Sequence, residues 1–552
     1  MIIRTHKSAL QSRFRPRLEI LEDRTLLSVC TVDRLSDTGD GSGLMGDLRY
    51  CITTATDGDT ITFADGLAGT INLTRALPDL THSISIAGPG PDMLTVRRDS
   101  GGDYRIFRVV SGPTVVLTGL TITNGLAADG AGILNNGTLT LTNATVSGNS
   151  TPYVYGASGG GISNSGALTL ENTTVSGNSA AGSRETGTGG GIYNGQGGMV
   201  TLDNTTVSGN YARPDGGGIY NIGTLTLTNS AISSNGPSFG GGIYNESTLT
   251  LDNTTVSGNS GRGIVNFGTA TLTNATVSGN SDSVGGGGIY NGVFGTLMLS
   301  NSTVSDNYDR NSAGGIYNEG TLILTNCTIS GNSSSDYWAG GIVNASGPTV
   351  RLRARNTIIA GNMASTAPDL AGQLTSSGYN LIGNTDGGSG FDDTDLLNID
   401  PLLGPLQDNG GPTQTMALQC GSPAIDAGDN TDALDWDQRG PGFPRIVNGI
   451  IDIGAYEVQK GECDGSAPHG PRDRLNRFVG TALVPHENRQ SRFSNIQIRA
   501  DLQMNPLPEY VPPTSTEPEV FSIPRLGEKP LVHNSVFLDL NWDLPEMKGI
   551  IF

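Results

Sequence analysis

The sequence predicts an all-β fold: a right-handed single-stranded parallel β-helix of about 12 coils, closed by a C-terminal capping module and followed by a poorly ordered tail. Three observations predict it. From about residue 131 to 362 one phrase recurs: G-G-I-x-N, then T-L-T-L-T-N, then x-T-V-S-G-N. Its first element occurs nine times, ending at Asn135, Asn164, Asn194, Asn221, Asn245, Asn266, Asn291, Asn318 and Asn344. The intervals of 21 to 30 residues suit a coil of three short strands and three turns. Within the phrase Leu225 and Leu227 alternate with Thr224, Thr226 and Thr228, a period-two, β-branched pattern that belongs to strands. Composition agrees, because 81 Gly in 552 residues with 15% charged and 6% aromatic residues describes a turn-rich, charge-poor chain.

The first 28 residues carry Arg4, Lys7, Arg13, Arg15, Arg17 and Arg24 and lack the apolar core of an ordinary signal peptide. Residues 14–28, FRPRLEILEDRTLLS, resemble the LEPR-xLL motif at the start of large bacterial extracellular proteins. That resemblance implies export, and with it a secreted or cell-surface location. Residues 29–59 are expected to form an N-terminal cap, in which GDLRYCITTAT (46–56) forms a helix over the open end of the first coil. Looser alternation in TINLTRAL, SISIAG, LTVRRD and VVLTGLTIT marks degenerate early coils, so the β-helix is placed at 60–362.

Inside each coil the Leu face turns inward, with Ile219 and Val207 in the matching slots of the other strands. Stacking then builds aliphatic columns, each side chain contributing roughly 1.5 to 3 kcal/mol on burial. Asn closes the strands at Asn194, Asn204 and Asn210 in one coil and at Asn221, Asn229 and Asn235 in the next. Asn tolerates a left-handed backbone and bonds neighbouring peptide groups, so stacked copies should form ladders.

After Asn362 the phrase gives way to a Gly-, Pro- and Asp-rich module, residues 363–460. NIDPLLGPLQDNGGPTQTMAL, GSPAIDAGD, DQRGPGFPR and DIGAYE (452–457) closely resemble the choice-of-anchor Q domain. The resemblance implies a module carried on the β-helices of bacterial secreted or surface proteins. Residues 461–552, with YVPPTSTEPE at 510–519, read as a disordered tail. The five cysteines contain no CxxC metal pattern. Pairing Cys30 with Cys51 and Cys420 with Cys463 would close loops in the two end modules and suit an oxidising compartment, although spacing alone does not choose a pairing. Cys327 occupies a slot held elsewhere by Ala144, Thr173 or Ala275 and reads as a small buried residue.

A formal charge of −20 and a pI near 4.6 oppose binding to nucleic acid and to anionic membranes, and favour a neutral or cationic partner. No apolar run is long enough for a transmembrane segment. The five His (6, 82, 469, 486, 533) all lie outside the clear repeats, which disfavours imidazole catalysis on the helix face, and the NTD, DD and GHG pattern of polygalacturonases is absent. Glu171 and Asp203 precede the corner Asn of consecutive coils, about 4.8 Å apart, and are the candidate catalytic pair. The same slot holds Thr142, Thr228 and Thr273 elsewhere, as a tolerant surface site would. Glu246 and Glu319 lie three coils apart, too far to cooperate. Arg351, Arg353 and Arg355 form a cationic stripe able to hold an acidic sugar chain or to face Asp392, Asp393 and Asp395. Tyr193, Tyr220, Tyr244, Tyr290 and Tyr317 follow the inward Ile of G-I-x-N and so point outward as a row, with Val265 and Val343 interrupting. Length variation falls beside that row, in STPYVYGAS, SAAGSRETGT, YARPD and SSSDYWA. The expectation is a structural or adhesive module; a polysaccharide or cell-surface glycan is the ligand these Tyr and Arg side chains would suit, the competing account of the row being that the tyrosines support one another and pack beneath the neighbouring loops. The module needs no cofactor or metal, calcium being the one ion its carboxylates would suit. The alternative is a polysaccharide lyase or glycosidase acting in a groove on the β-helix.

Overall fold

The computed structural model describes residues 28–463 apart from 183–185, 237–239, 284, 336–337, 348–349 and 432. All of them belong to the unit Met1–Arg472, and the motif-bearing N-terminus (1–27) and the tail from 464 onward lie outside the described residues. Among the described residues the chain winds as a right-handed parallel β-solenoid of about 12 coils. Three long sheets of 16, 14 and 12 strands run its length, one for each element of the repeated phrase.

Register is kept strictly from coil to coil. In the T-L-T-L-T sheet Leu168, Val200, Leu225, Leu249, Ala270 and Leu297 pair in succession, so like stacks on like. A one-residue slip would turn every Leu to solvent, and the inward set is indeed fully buried: Leu225, Leu227, Ile219, Val207 and Ile232 are 0% exposed. One hydrophobic cluster extends without a break from Cys30 to Ile382.

The corners divide into two kinds. Two Asn rows point inward and form ladders. From Asn135 to Asn344 each Nδ2 donates to the Oδ1 of the next coil, as in Asn194 to Asn221 and Asn221 to Asn245, both 2.7 Å. From Asn149 to Asn362 the second ladder does the same. It ends on Asp369, whose Oδ1 accepts from Asn362 at 2.9 Å. A rung must both donate and accept, so a carboxylate fits only the accepting end. The third row (Asn143, Asn172, Asn204, Asn229, Asn253, Asn274, Asn301, Asn326, Asn356) has φ between 45° and 53°, the left-handed turn that Asn adopts at little cost.

The solenoid begins earlier and ends later than the repeat pattern marks. Val29–Val32 already pairs in parallel with Thr60–Phe63, and coils continue past 362 through Leu370–Gln373 to Leu396–Leu397. The helix expected at 46–56 is Leu48–Thr54, capped by Asp47, whose carboxylate accepts from Tyr50 N. Leu48, Cys51 and Ile52 seal the core, and the Cys30–Cys51 disulfide ties the helix to the first strand. Arg49 is buried beside Asp37 and donates to the carbonyls of Arg75 and Ala76, fixing the cap to the next coil.

The C-terminal module is not simply an end cap. It folds back along the flank of the T-V-S sheet. Thr303 Oγ1 donates to Gln438 Oε1 at 2.6 Å, Gln438 Nε2 donates to Ala275 O and Thr276 Oγ1, and Ala455 N donates to Thr328 Oγ1. The outward Thr of this sheet is accordingly buried at Thr276, Thr303 and Thr328 but half-buried at Thr145, Thr174, Thr206 and Thr255. At the next coils the outward slot becomes Ile358 and Leu381, which pack with Leu418, Ala424, Ile453 and Tyr456 of the module. DQRGPGFPR and DIGAYE form the module's buried polar centre. Arg439 donates Nε and Nη2 to Asp437 Oδ2, and its guanidinium lies between the rings of Phe443 and Tyr456. Glu457 accepts from Val447 N and Asp452 N, while Asp452 accepts from Asp426 N and Val458 N. Cys420 and Cys463 form the second disulfide. Cys327 is a buried thiol donating to Leu299 O and Thr325 O, as Thr173 and Thr205 do with their hydroxyls in the same slot.

Candidate functional site

The outward position of the G-I-x-N sheet is one column: Arg108, Leu134, Ser163, Tyr193, Tyr220, Tyr244, Val265, Tyr290, Tyr317, Val343. Because neighbouring coils are in register, side chains in this column repeat at about the strand spacing of 4.8 Å, and identical rings stack. Tyr193 and Tyr220 lie 5.7 Å apart at 10°, Tyr220 and Tyr244 5.0 Å at 6°, and Tyr290 and Tyr317 5.7 Å at 5°. All five are half-buried, their flanks covered by neighbours and their outer edges open.

The interruption at Val265 is bridged. Phe267, two residues further on in the turn, swings its ring between Tyr244 (5.7 Å, 44°) and Tyr290 (5.8 Å, 61°). Six aromatic rings thus form one row from Tyr193 to Tyr317. Sequence reasoning missed Phe267. The signal was its type, since the residue after the corner Asn is Ile222, Glu246, Gly292 or Glu319 in neighbouring coils and only here aromatic.

The turns on either side make the row a cleft of about 450 Å³, lined by Asp215, Tyr244, Arg262, Val265, Phe267, Tyr290, Tyr317 and Glu319. One rim comes from the variable insertions: YARPD forms the strand Tyr211–Asp215 and ends on Asp215, and the short S-G-R-G turn supplies Arg262. Arg262 lies 4.6 Å from the Tyr290 ring centre and pairs with Asp282 at 2.7 Å. The other rim carries Glu246 and Glu319. Tyr220 donates its phenol proton to Glu246 at 2.7 Å, and Tyr290 donates to Glu319 at 2.5 Å. The two glutamates are thus three coils apart, as expected, yet each is locked to a ring of the row. Burial, and for Tyr220 and Tyr290 the adjacent carboxylates, push the phenols above the ordinary tyrosine range, so they act as neutral donors. Burial and then the Glu246 charge push the Asp215 carboxyl up to about 6.

The other candidates lie elsewhere. Glu171 and Asp203 are register partners on the T-L-T-L-T sheet, exposed, accepting from Thr142 Oγ1 at 3.5 Å and Asn229 Nδ2 at 3.3 Å. They share no face with the aromatic row. Arg351 and Arg353 are exposed on that same sheet with Leu352 and Ala354 inward, whereas Arg355 is half-buried against Asp429. Asp429 of the module pairs with Arg355, while Asp395 accepts from Ser376, Asn380 and the peptide N–H of Asp392. Among the described residues no three His, Cys, Asp or Glu side chains are grouped as a metal site, and no helix is long and apolar enough to cross a membrane.

The family model for the right-handed β-helix region matches residues 161–310, which include Tyr193, Tyr220, Tyr244 and Tyr290 of the row. No curated protein matches the chain. Among solved structures, the pectate lyase Pel9A is 14% identical over 78% of this chain and 98% of its own, with a TM-score of 0.36. XylC in complex with xylose is 11% identical over 78% and 98%, with a TM-score of 0.41. The A-module of the mannuronan C-5 epimerase AlgE6 of Azotobacter vinelandii is 14% identical over 65% and 96%, with a TM-score of 0.34.

Proposed function

We propose that this protein is a secreted or cell-surface β-helix with a structural or adhesive role, and that the aromatic cleft of its G-I-x-N sheet binds a glycan chain. The row of six rings from Tyr193 to Tyr317 carries the reading. A pyranose offers a C–H face for an aromatic surface and a ring of hydroxyls, and the cleft supplies both ring edges and fixed carboxylate acceptors. The coil spacing is about one sugar residue long, so successive coils can meet successive units of an extended polymer, each contact weak and the sum substantial. The two disulfides suit an exported protein.

One observation favours the competing reading, a glycosidase or lyase. Asp215 is a carboxyl raised into the range of a general acid, with the charged Glu246 contributing to the shift. The test separates the two. The purified protein is offered a panel of neutral and charged polysaccharides on beads, and retention, reducing ends and unsaturated-product absorbance are recorded together. Retention without product, lost in Tyr220→Ala with Tyr244→Ala while the circular dichroism spectrum stays unchanged, is expected. Product formation abolished by Asp215→Asn would replace the binding reading with the enzymatic one. Retention untouched by the Tyr double variant would remove the cleft from either.

A further inference from the structure

Resting on the glycan-binding reading, we infer that the cleft prefers a polymer of amino sugars with free ammonium groups to neutral or uronate chains. The ring floor makes the site, and the charges along its rims set the selectivity. Three carboxylates face or flank the row: Asp215 on one side, Glu246 and Glu319 on the other. Among the described residues lining the cleft the cation is Arg262, nearly buried and paired with Asp282, so its charge is largely answered before any ligand arrives. Glu246 accepts from Tyr220, and Glu319 from Tyr290 with Tyr317 also against it, which leaves lone pairs on each carboxylate able to accept from a ligand. Asp215 sits in the insertion rim, where burial and Glu246 both disfavour its charge, a cost that an incoming cation would relieve.

The phenol oxygens act in the same direction. The faces of Tyr220 and Tyr244 are turned on each other 5.0 Å apart, so the row offers a ligand its outer edges, where the phenol oxygens keep lone pairs that can accept from an ammonium. A uronate would meet carboxylates on both rims, and like charges brought together in a half-dry cleft repel strongly. The formal charge of −20 extends the same preference to longer range.

The test uses the full chain and four soluble hexasaccharides, measured by titration calorimetry: β-1,4-linked glucosamine, its N-acetylated form, cellohexaose and oligogalacturonate. Glucosamine hexamer should bind about tenfold tighter than cellohexaose, and the gap should close in about 1 M salt. Oligogalacturonate should not bind. In Asp215→Asn the ratio between the glucosamine and cellohexaose affinities should fall severalfold, and in Tyr220→Ala with Tyr244→Ala both affinities should fall together. Equal binding of glucosamine hexamer and cellohexaose would overturn the charge inference while leaving the aromatic platform standing. Binding of none of the four would remove both. Preference for oligogalacturonate would reverse the assignment of the rims.

Discussion

Replacing Asn221 with Leu removes one rung of a buried ladder while keeping the branching at Cγ. The side chain is 0% exposed and takes part in five hydrogen bonds. It accepts from Asn194 Nδ2 (2.7 Å) and Gly223 N (3.3 Å), and donates to Asn245 Oδ1 (2.7 Å), Thr248 O (3.0 Å) and Gly223 O (3.2 Å). The amide has two hydrogens for its three donor contacts, so the five contacts count as about four bonds; at about 1 kcal/mol net each the loss is about 4 kcal/mol, and the added apolar contact of Leu returns about 1 kcal/mol, leaving about 3 kcal/mol. The damage should stay local, because each coil touches only its neighbours. Hydrogen exchange read by mass spectrometry should therefore show faster exchange in Ile219–Asn221 and Ile243–Asn245, with coils near Thr121–Thr123 unchanged. Asn229→Gly is the control, since Asn229 is exposed with φ 50° and Gly accepts that turn; it should stay within about 0.5 kcal/mol. A change at Asn221 below about 1 kcal/mol, or roughly fivefold in exchange rate, would refute the view that the ladder holds the corner.

Leu225→Asp with Leu227→Asp places two carboxylates in the centre of the column and should abolish cooperative melting of the middle coils; an unchanged melting curve would contradict the inward phase. Phe267→Ala breaks the aromatic row at its bridge, costing about 1 to 2 kcal/mol of local stability, and should weaken long oligosaccharides more than short ones in calorimetry. In the C-terminal module burial raises Glu457 to about 8 and Asp452 to about 6. Their folded values exceed the unfolded ones, so their contribution is fully present below about pH 4 and is lost as pH rises through 6 and then 8. The urea midpoint followed by near-ultraviolet circular dichroism should fall across that window, and Glu457→Gln should flatten the upper part of the slope.

Much of the fold was legible because a coil repeats. Period-two alternation set which side chains of T-L-T-L-T turn inward, and the recurrence of Asn at each strand end marked the corners. The terminal helix was readable from its composition, and the small-residue slot foretold the buried Cys327. The boundaries were less legible, because the coils at either end keep their strands while losing the phrase. Val29–Val32 and Leu381–Ile382 are identified by their pairing rather than their wording. The candidate site was half legible. The Tyr column followed from the position after an inward Ile, but Asp215 comes from an insertion, and Arg262, Phe267 and Glu319 from turns, whose direction no periodicity fixes.

The sequence by itself determined the coil, its inward columns and its outward Tyr row, since hydrophobic phase and turn chemistry act over a few residues and recur. Only the tertiary structure decided which turns meet across the row, that Phe267 bridges the gap at Val265, and that the final module covers the T-V-S flank and takes Arg355 through Asp429. Those contacts join residues far apart along the chain, such as Thr303 with Gln438, and such pairings depend on how variable segments fold over a finished solenoid.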